Sequence, residues 1–89
     1  MVYALTPRMQ RTMERAAAIA RENGQEVVGT EHVLLALLED RSGIAGGTLH
    51  RTGCADVVRA EVVRIITSDG YKTPTYRHSP DRSGDAPRR

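Results

Sequence analysis

Apolar residues in this chain recur with the period of a helix. Leu5, Met9, Met13, Ala16 and Ala20 follow one another at steps of four, four, three and four, which lines them up along one helical stripe. Thr6 precedes the stripe as a cap and Pro7 falls in the first turn, where its missing N–H costs nothing. Asn23-Gly24 is a stop signal. A second helix is predicted from Thr30 to about Asp40, with Thr30 placing its hydroxyl on an orphan N–H and Glu31 near the positive end of the dipole. Val33, Leu34, Leu35, Leu37 and Leu38 leave almost no polar face, so this helix should be buried on most sides.

Two shorter segments complete the pattern. A third helix, near Ile44 to Arg51, is intrinsically weak, because Gly46 and Gly47 each cost about 1 kcal/mol relative to alanine in a helix interior. Gly53 ends it. Asp56 is the expected cap of a fourth, whose apolar face is Val58, Val62, Ile65 and Ile66. Short loops imply roughly antiparallel neighbours. The expectation is an all-α domain of about four helices over residues 1–67.

The remainder, residues 68–89, has another character. It holds Pro74, Pro80 and Pro87 and no aliphatic side chain larger than Ala86. It cannot bury enough surface to offset its ordering entropy and is read as a flexible basic tail. Tyr71 and Tyr76 are its two side chains able to dock on the domain or on a neighbour, although a solvated tail or an expression remnant is preferred. Charge follows the same division. Eight arginines and eight acidic residues cancel over residues 1–67, so the whole net charge of +2 sits in the tail.

The ordered motifs resemble the Clp repeat, the N-terminal substrate- and adaptor-receiving domain of Clp-type AAA+ unfoldases. Leu5-Thr6-Pro7-Arg8 is similar to the opening of such a repeat. Ala16 to Gly24, followed by Val27-Val28-Gly29-Thr30-Glu31-His32, resembles its long helix, glycine and GTEH order. Leu34-Leu35-Ala36-Leu37-Leu38-Glu39-Asp40 resembles its LLGLL segment. Ser42-Gly43-Ile44-Ala45 with Leu49 resembles its following turn and third helix, and Gly53, Asp56, Val58, Val62 and Ile65 its last linker and helix. The likeness runs from about residue 5 to 67. Two departures stand out: Gly46-Gly47 replace helix-favouring residues, and one repeat is present where the unfoldase domain has two.

Several classes of chemistry find no support in the residues. No phosphate-loop motif is present, and 89 residues leave no room for an AAA+ engine. No nucleophile–base–acid constellation is visible, and no cofactor is expected. Cys54 lies on the stripe of Val58 and is read as a small buried filler. His32, His50 and His78 are scattered without metal spacing, and His32 is read as a structural residue at a helix end. No apolar run is long enough for a bilayer, and Met1-Val2-Tyr3 does not open a signal peptide. A lone cysteine without a targeting segment favours the cytoplasm.

Binding is the better-supported class. A helix N-terminus favours an anion, and a carboxylate at the same end can take a guanidinium in a two-pronged pair. Thr30 and Glu31 put both elements in one turn, which would suit a phosphorylated arginine. The resemblance implies the same ligand, since some Clp repeats of bacterial unfoldases receive phosphoarginine-marked substrates through the GTEH glutamate. By position that residue is Glu31, with Gly29 and Thr30 near the phosphate. The plainer alternative, that Thr30 and Glu31 only cap a helix, stays open, as does docking of adaptor proteins.

Three roles follow. The first is a stand-alone Clp-repeat protein that binds substrates, adaptors or small ligands of a Clp protease system, as adaptor or decoy. The second is a fragment of a longer Clp unfoldase. The third is a small helical DNA-binding protein with Thr48, His50 and Arg51 on its recognition helix, which is disfavoured because the helical core carries no net positive charge. A lone repeat should expose the surface that its copy covers in the two-repeat domain, so a homodimer is expected.

Overall fold

The protein is described by a computed structural model covering residues 3–71. Four helices follow one another: α1 Pro7–Glu22, α2 Thr30–Glu39, α3 Ile44–Arg51 and α4 Ala55–Ile66. Among the described residues there is no strand, and no helix is long and apolar enough to cross a membrane. The all-α expectation is met in number, order and approximate bounds. Of the tail expected over 68–89, residues 72–89 lie outside the described part.

Local rules set most helix ends. Thr6 caps α1, its hydroxyl oxygen accepting the Met9 N–H at 3.0 Å, and Pro7 occupies the first turn. Both α1 and α3 close with the same paired bonds. Gln25 N–H reaches Ala20 O and Gly24 N–H reaches Arg21 O, while Cys54 N–H reaches Leu49 O and Gly53 N–H reaches His50 O. The motif needs a left-handed residue after the cap, supplied by Gly24 (φ +73°) and Gly53 (φ +79°).

Tertiary packing centres on α2, whose backbone lies close to α1, α3 and α4. The core joins Ala16 and Ile19 of α1 to Leu35, Ala36 and Leu38 of α2 and to Ala55 and Ile66 of α4. Two arginines of α1 reach the end of α2: Arg8 Nη1 donates to both oxygens of Asp40 at 2.6 Å, and Arg15 meets Glu39 at 2.7 and 3.1 Å. The Arg8 hydrogen bonds hold the Asp40 carboxyl below its ordinary pKa, helped by backbone donors at Gly43 and Ser42.

Three details differ from the sequence reading. First, the inward stripe of α1 is Thr12, Ala16, Ile19 and Ala20, while Met13 (39% exposed) and Leu5 (49%) lie outside it. Thr12 can be buried because its hydroxyl donates to Arg8 O at 2.9 Å. Second, Cys54 is exposed, contrary to the filler role. It is the N-cap of α4, and the buried face starts one residue later at Ala55. Third, Asp56 lies in the first turn of α4 rather than at its cap, where its charge still faces the positive helix end.

The glycine pair in α3 has a packing explanation. A Cβ on Gly46 would stand 2.1 Å from Leu37 O and 2.3 Å from Asp40 O, and one on Gly47 would stand 2.8 Å from Arg41 O. α3 therefore lies directly on the backbone at the end of α2. Only a residue without a side chain fits at Gly46. His50 strengthens the same junction, its Nε2 lying 2.8 Å from Leu38 O and taking up an orphan carbonyl of the last turn of α2.

Candidate functional site

The N-terminus of α2 is built from Gly29, Thr30, Glu31 and His32. Gly29, not Thr30, is the N-cap (φ −108°, ψ 176°), and Thr30 is the first helical residue with an exposed side chain. This corrects the expected capping role of Thr30. Since Gly29 has no side chain to offer, the end of the helix is tied from within. His32 Nδ1 accepts the Gly29 N–H at 2.8 Å, and the N–H groups of His32 and Val33 reach Gly29 O at 3.1 and 3.3 Å.

His32 is completely buried. Because Nδ1 accepts, the ring proton sits on Nε2, which has no hydrogen-bond partner among the described residues. The ring is thus a structural cap and a core side chain together, as expected for a helix-end histidine. The N–H groups of Thr30 and Glu31 remain without an intrahelical acceptor, as the first turn of any helix dictates.

Glu31 is half-buried and folds back over Gly29. A Cβ built on Gly29 would meet Glu31 Oε1 at 2.5 Å and Oε2 at 2.8 Å. Its Oε2 accepts a hydrogen bond from the Tyr71 hydroxyl, and Tyr71 packs against the buried core. The three residues singled out in the sequence are therefore contiguous at one helix end. His32 and Tyr71 complete the arrangement. Tyr71 carried only a faint signal, as an aromatic able to dock in a segment otherwise poor in apolar residues.

A second concave region lies between α1 and the end of α2. It is an open cleft of about 280 Å³ lined by Arg8, Arg11, Thr12, Arg15, Glu39 and Asp40. Arg8 and Arg15 are held by acidic partners across the cleft, and Arg15 also meets Glu22 at 3.1 Å. Of the DNA-reading candidates of α3, Thr48 and Arg51 are exposed and His50 is half-buried. His50 is turned toward α2, and Arg51 donates to Thr48 Oγ1 at 3.3 Å. Among the described residues no group of three His, Cys, Asp or Glu side chains is placed to hold a metal ion.

Comparison with known proteins gives a consistent result. The family described as "Clp repeat (R) N-terminal domain" matches residues 4–75. Over 48 residues the chain is 46% identical to an ATP-dependent Clp protease ATP-binding subunit ClpA homolog of Trieres chinensis, covering 54% of this chain and 5% of that protein. A chloroplastic ClpA homolog of Brassica napus is 36% identical over 69 residues, 76% of this chain and 8% of that protein. The chloroplastic chaperone protein ClpC of Pisum sativum is 36% identical over 62 residues, 68% of this chain and 7% of that protein. The chain thus spans less than a tenth of the length of these relatives. No solved structure matches it.

Proposed function

The chain belongs to the Clp repeat N-terminal domain family, and on that premise we propose that it is a non-catalytic binding module of a Clp protease system. In this reading it receives protein substrates or adaptors, acting alone as an adaptor or decoy, and its small-molecule determinant is phosphoarginine. The observation that carries the ligand is the position of Glu31. Its carboxylate lies over Gly29, at the same helix end as the N–H groups of Thr30 and Glu31, which have no intrahelical acceptor. The N–H groups and the dipole would take the phosphate, and the carboxylate the guanidinium.

Calorimetry with phosphoarginine tests this. The wild-type protein should bind, and Glu31→Ala should weaken binding at least tenfold while far-UV circular dichroism stays unchanged. No binding by the wild type, or equal binding by the variant, contradicts the reading.

The same proposal includes a twofold dimer. Ile44 (87% exposed) and Val57 (73%) are large apolar side chains left uncovered, and a second copy would give them a partner surface. Sedimentation should return the mass of two chains; the mass of one contradicts the dimer. A second reading of the role, as a fragment of a longer Clp unfoldase, is supported by relatives that extend far beyond the matched segment. An immunoblot band at the mass of 89 residues favours the stand-alone role, and a far larger band favours the fragment.

A further inference from the structure

Past α4 the chain turns at Gly70 (φ +85°), and the Tyr71 N–H donates to Ser68 O at 3.3 Å. This turn brings the Tyr71 ring onto the core and its hydroxyl onto Glu31 Oε2. The carboxylate is therefore gripped from one side by Tyr71 while its oxygens lie over Gly29. Two distant parts of the chain converge on one side-chain conformation.

Resting on the phosphoarginine reading given above, we propose that Tyr71 is a latch on this site: it holds the Glu31 carboxylate over Gly29 and keeps the N-terminal end of α2 closed to anions until Glu31 swings outward. A carboxylate at a helix N-terminus is favourably placed, and there it occupies the electropositive end that an incoming phosphate would use. Two anions do not share that position. A phosphorylated guanidinium escapes the conflict, because the displaced Glu31 can take the guanidinium while the phosphate takes its former place. A bare phosphate offers Glu31 no such replacement. The latch therefore selects for a ligand carrying both charges.

Opening breaks the Tyr71 hydrogen bond to a charged acceptor, so the hydroxyl lowers the population of the open conformer and the apparent affinity with it. Tyr71→Phe retains the ring that packs on the core and removes the hydroxyl that donates to Glu31. A bond of this kind corresponds to roughly a tenfold change in an equilibrium.

The test compares phosphoarginine binding to the wild type and Tyr71→Phe by calorimetry, together with the ¹³C resonance of the Glu31 carboxyl group in both ligand-free proteins. The latch predicts about tenfold tighter binding by Tyr71→Phe and a displaced Glu31 resonance. Equal or weaker binding by the variant overturns it, as does an unmoved resonance. If neither protein binds phosphoarginine, the functional reading fails on its own. The Glu31 resonance then decides the latch, a shift supporting it and no shift overturning it.

Discussion

His32 Nδ1 accepts the Gly29 N–H from inside the core, at 2.8 Å and three residues along the chain. This relationship explains how a residue without a side chain can begin α2. The cap is supplied from beneath, so the outer side of the helix end is left to Thr30 and Glu31. A buried ring also fixes the angle at which the linker enters the helix, and with it the place where Glu31 sits.

Removing that ring should therefore cost stability in two ways, through a cavity and through an unpaired Gly29 N–H. His32→Ala is expected to lose about 2–4 kcal/mol of unfolding free energy on that basis. Urea denaturation followed by circular dichroism measures it. A loss below about 1 kcal/mol would mean that the cap and the core packing are both unimportant.

Two threonines that look equivalent in sequence should behave differently. Thr6 accepts the Met9 N–H, whereas Thr30 makes no side-chain cap bond. Thr6→Ala should cost about 1 kcal/mol, and Thr30→Ala should fall within about 0.5 kcal/mol of the wild type. Thermal melts of the two variants side by side check the order, and a larger loss for Thr30→Ala would reverse the assignment of the cap.

Helix propensity and packing make opposite predictions at Gly46. Propensity favours alanine by about 1 kcal/mol, but its Cβ would collide with backbone oxygens of Leu37 and Asp40. Backbone atoms cannot rotate away, so overpacking wins and Gly46→Ala should destabilise by about 1–3 kcal/mol. A stabilised variant in denaturant titration would show that α3 does not lie on the end of α2.

Acid should weaken the clasp between α1 and α2. The Asp40 pKa is lowered in the folded protein by the Arg8 hydrogen bonds, so the unfolded chain takes up this proton more readily. Stability from Asp40 is then fully present above the ordinary aspartate pKa of about 3.9 and is lost as pH falls through the lower folded value. Asp40→Asn should flatten the acid limb of the stability curve measured between about pH 5 and 2. An unchanged limb would show that the pair is not formed in solution.

Much of the fold was legible because it obeys local rules. The 3.6-residue period of α1, Pro7, the apolar run of α2 and the glycines at 24 and 53 act within a few residues, and they gave the four helices to within a residue or two at their ends. The inward face of each helix was harder to read. Thr12 and Met13, like Cys54 and Ala55, are neighbours, and a shift of one residue turns a helix face by about 100°. Only the partner helix decides between them: Thr12 faces inward with its hydroxyl satisfied by Arg8 O. Tyr71 was least legible, because its meeting with Glu31 spans forty positions and local pattern carries no record of it. The candidate site was found as a stretch of sequence, while its internal cap and its latch came from tertiary packing.

Backbone amide shifts in the ¹⁵N-labelled protein during titration with phosphoarginine address the central claim that this helix end grips other molecules. Saturable shifts confined to Gly29, Thr30, Glu31 and Tyr71 are predicted. Shifts absent from these four residues, or concentrated on Arg8, Arg11 and Arg15 in the neighbouring cleft, would contradict it.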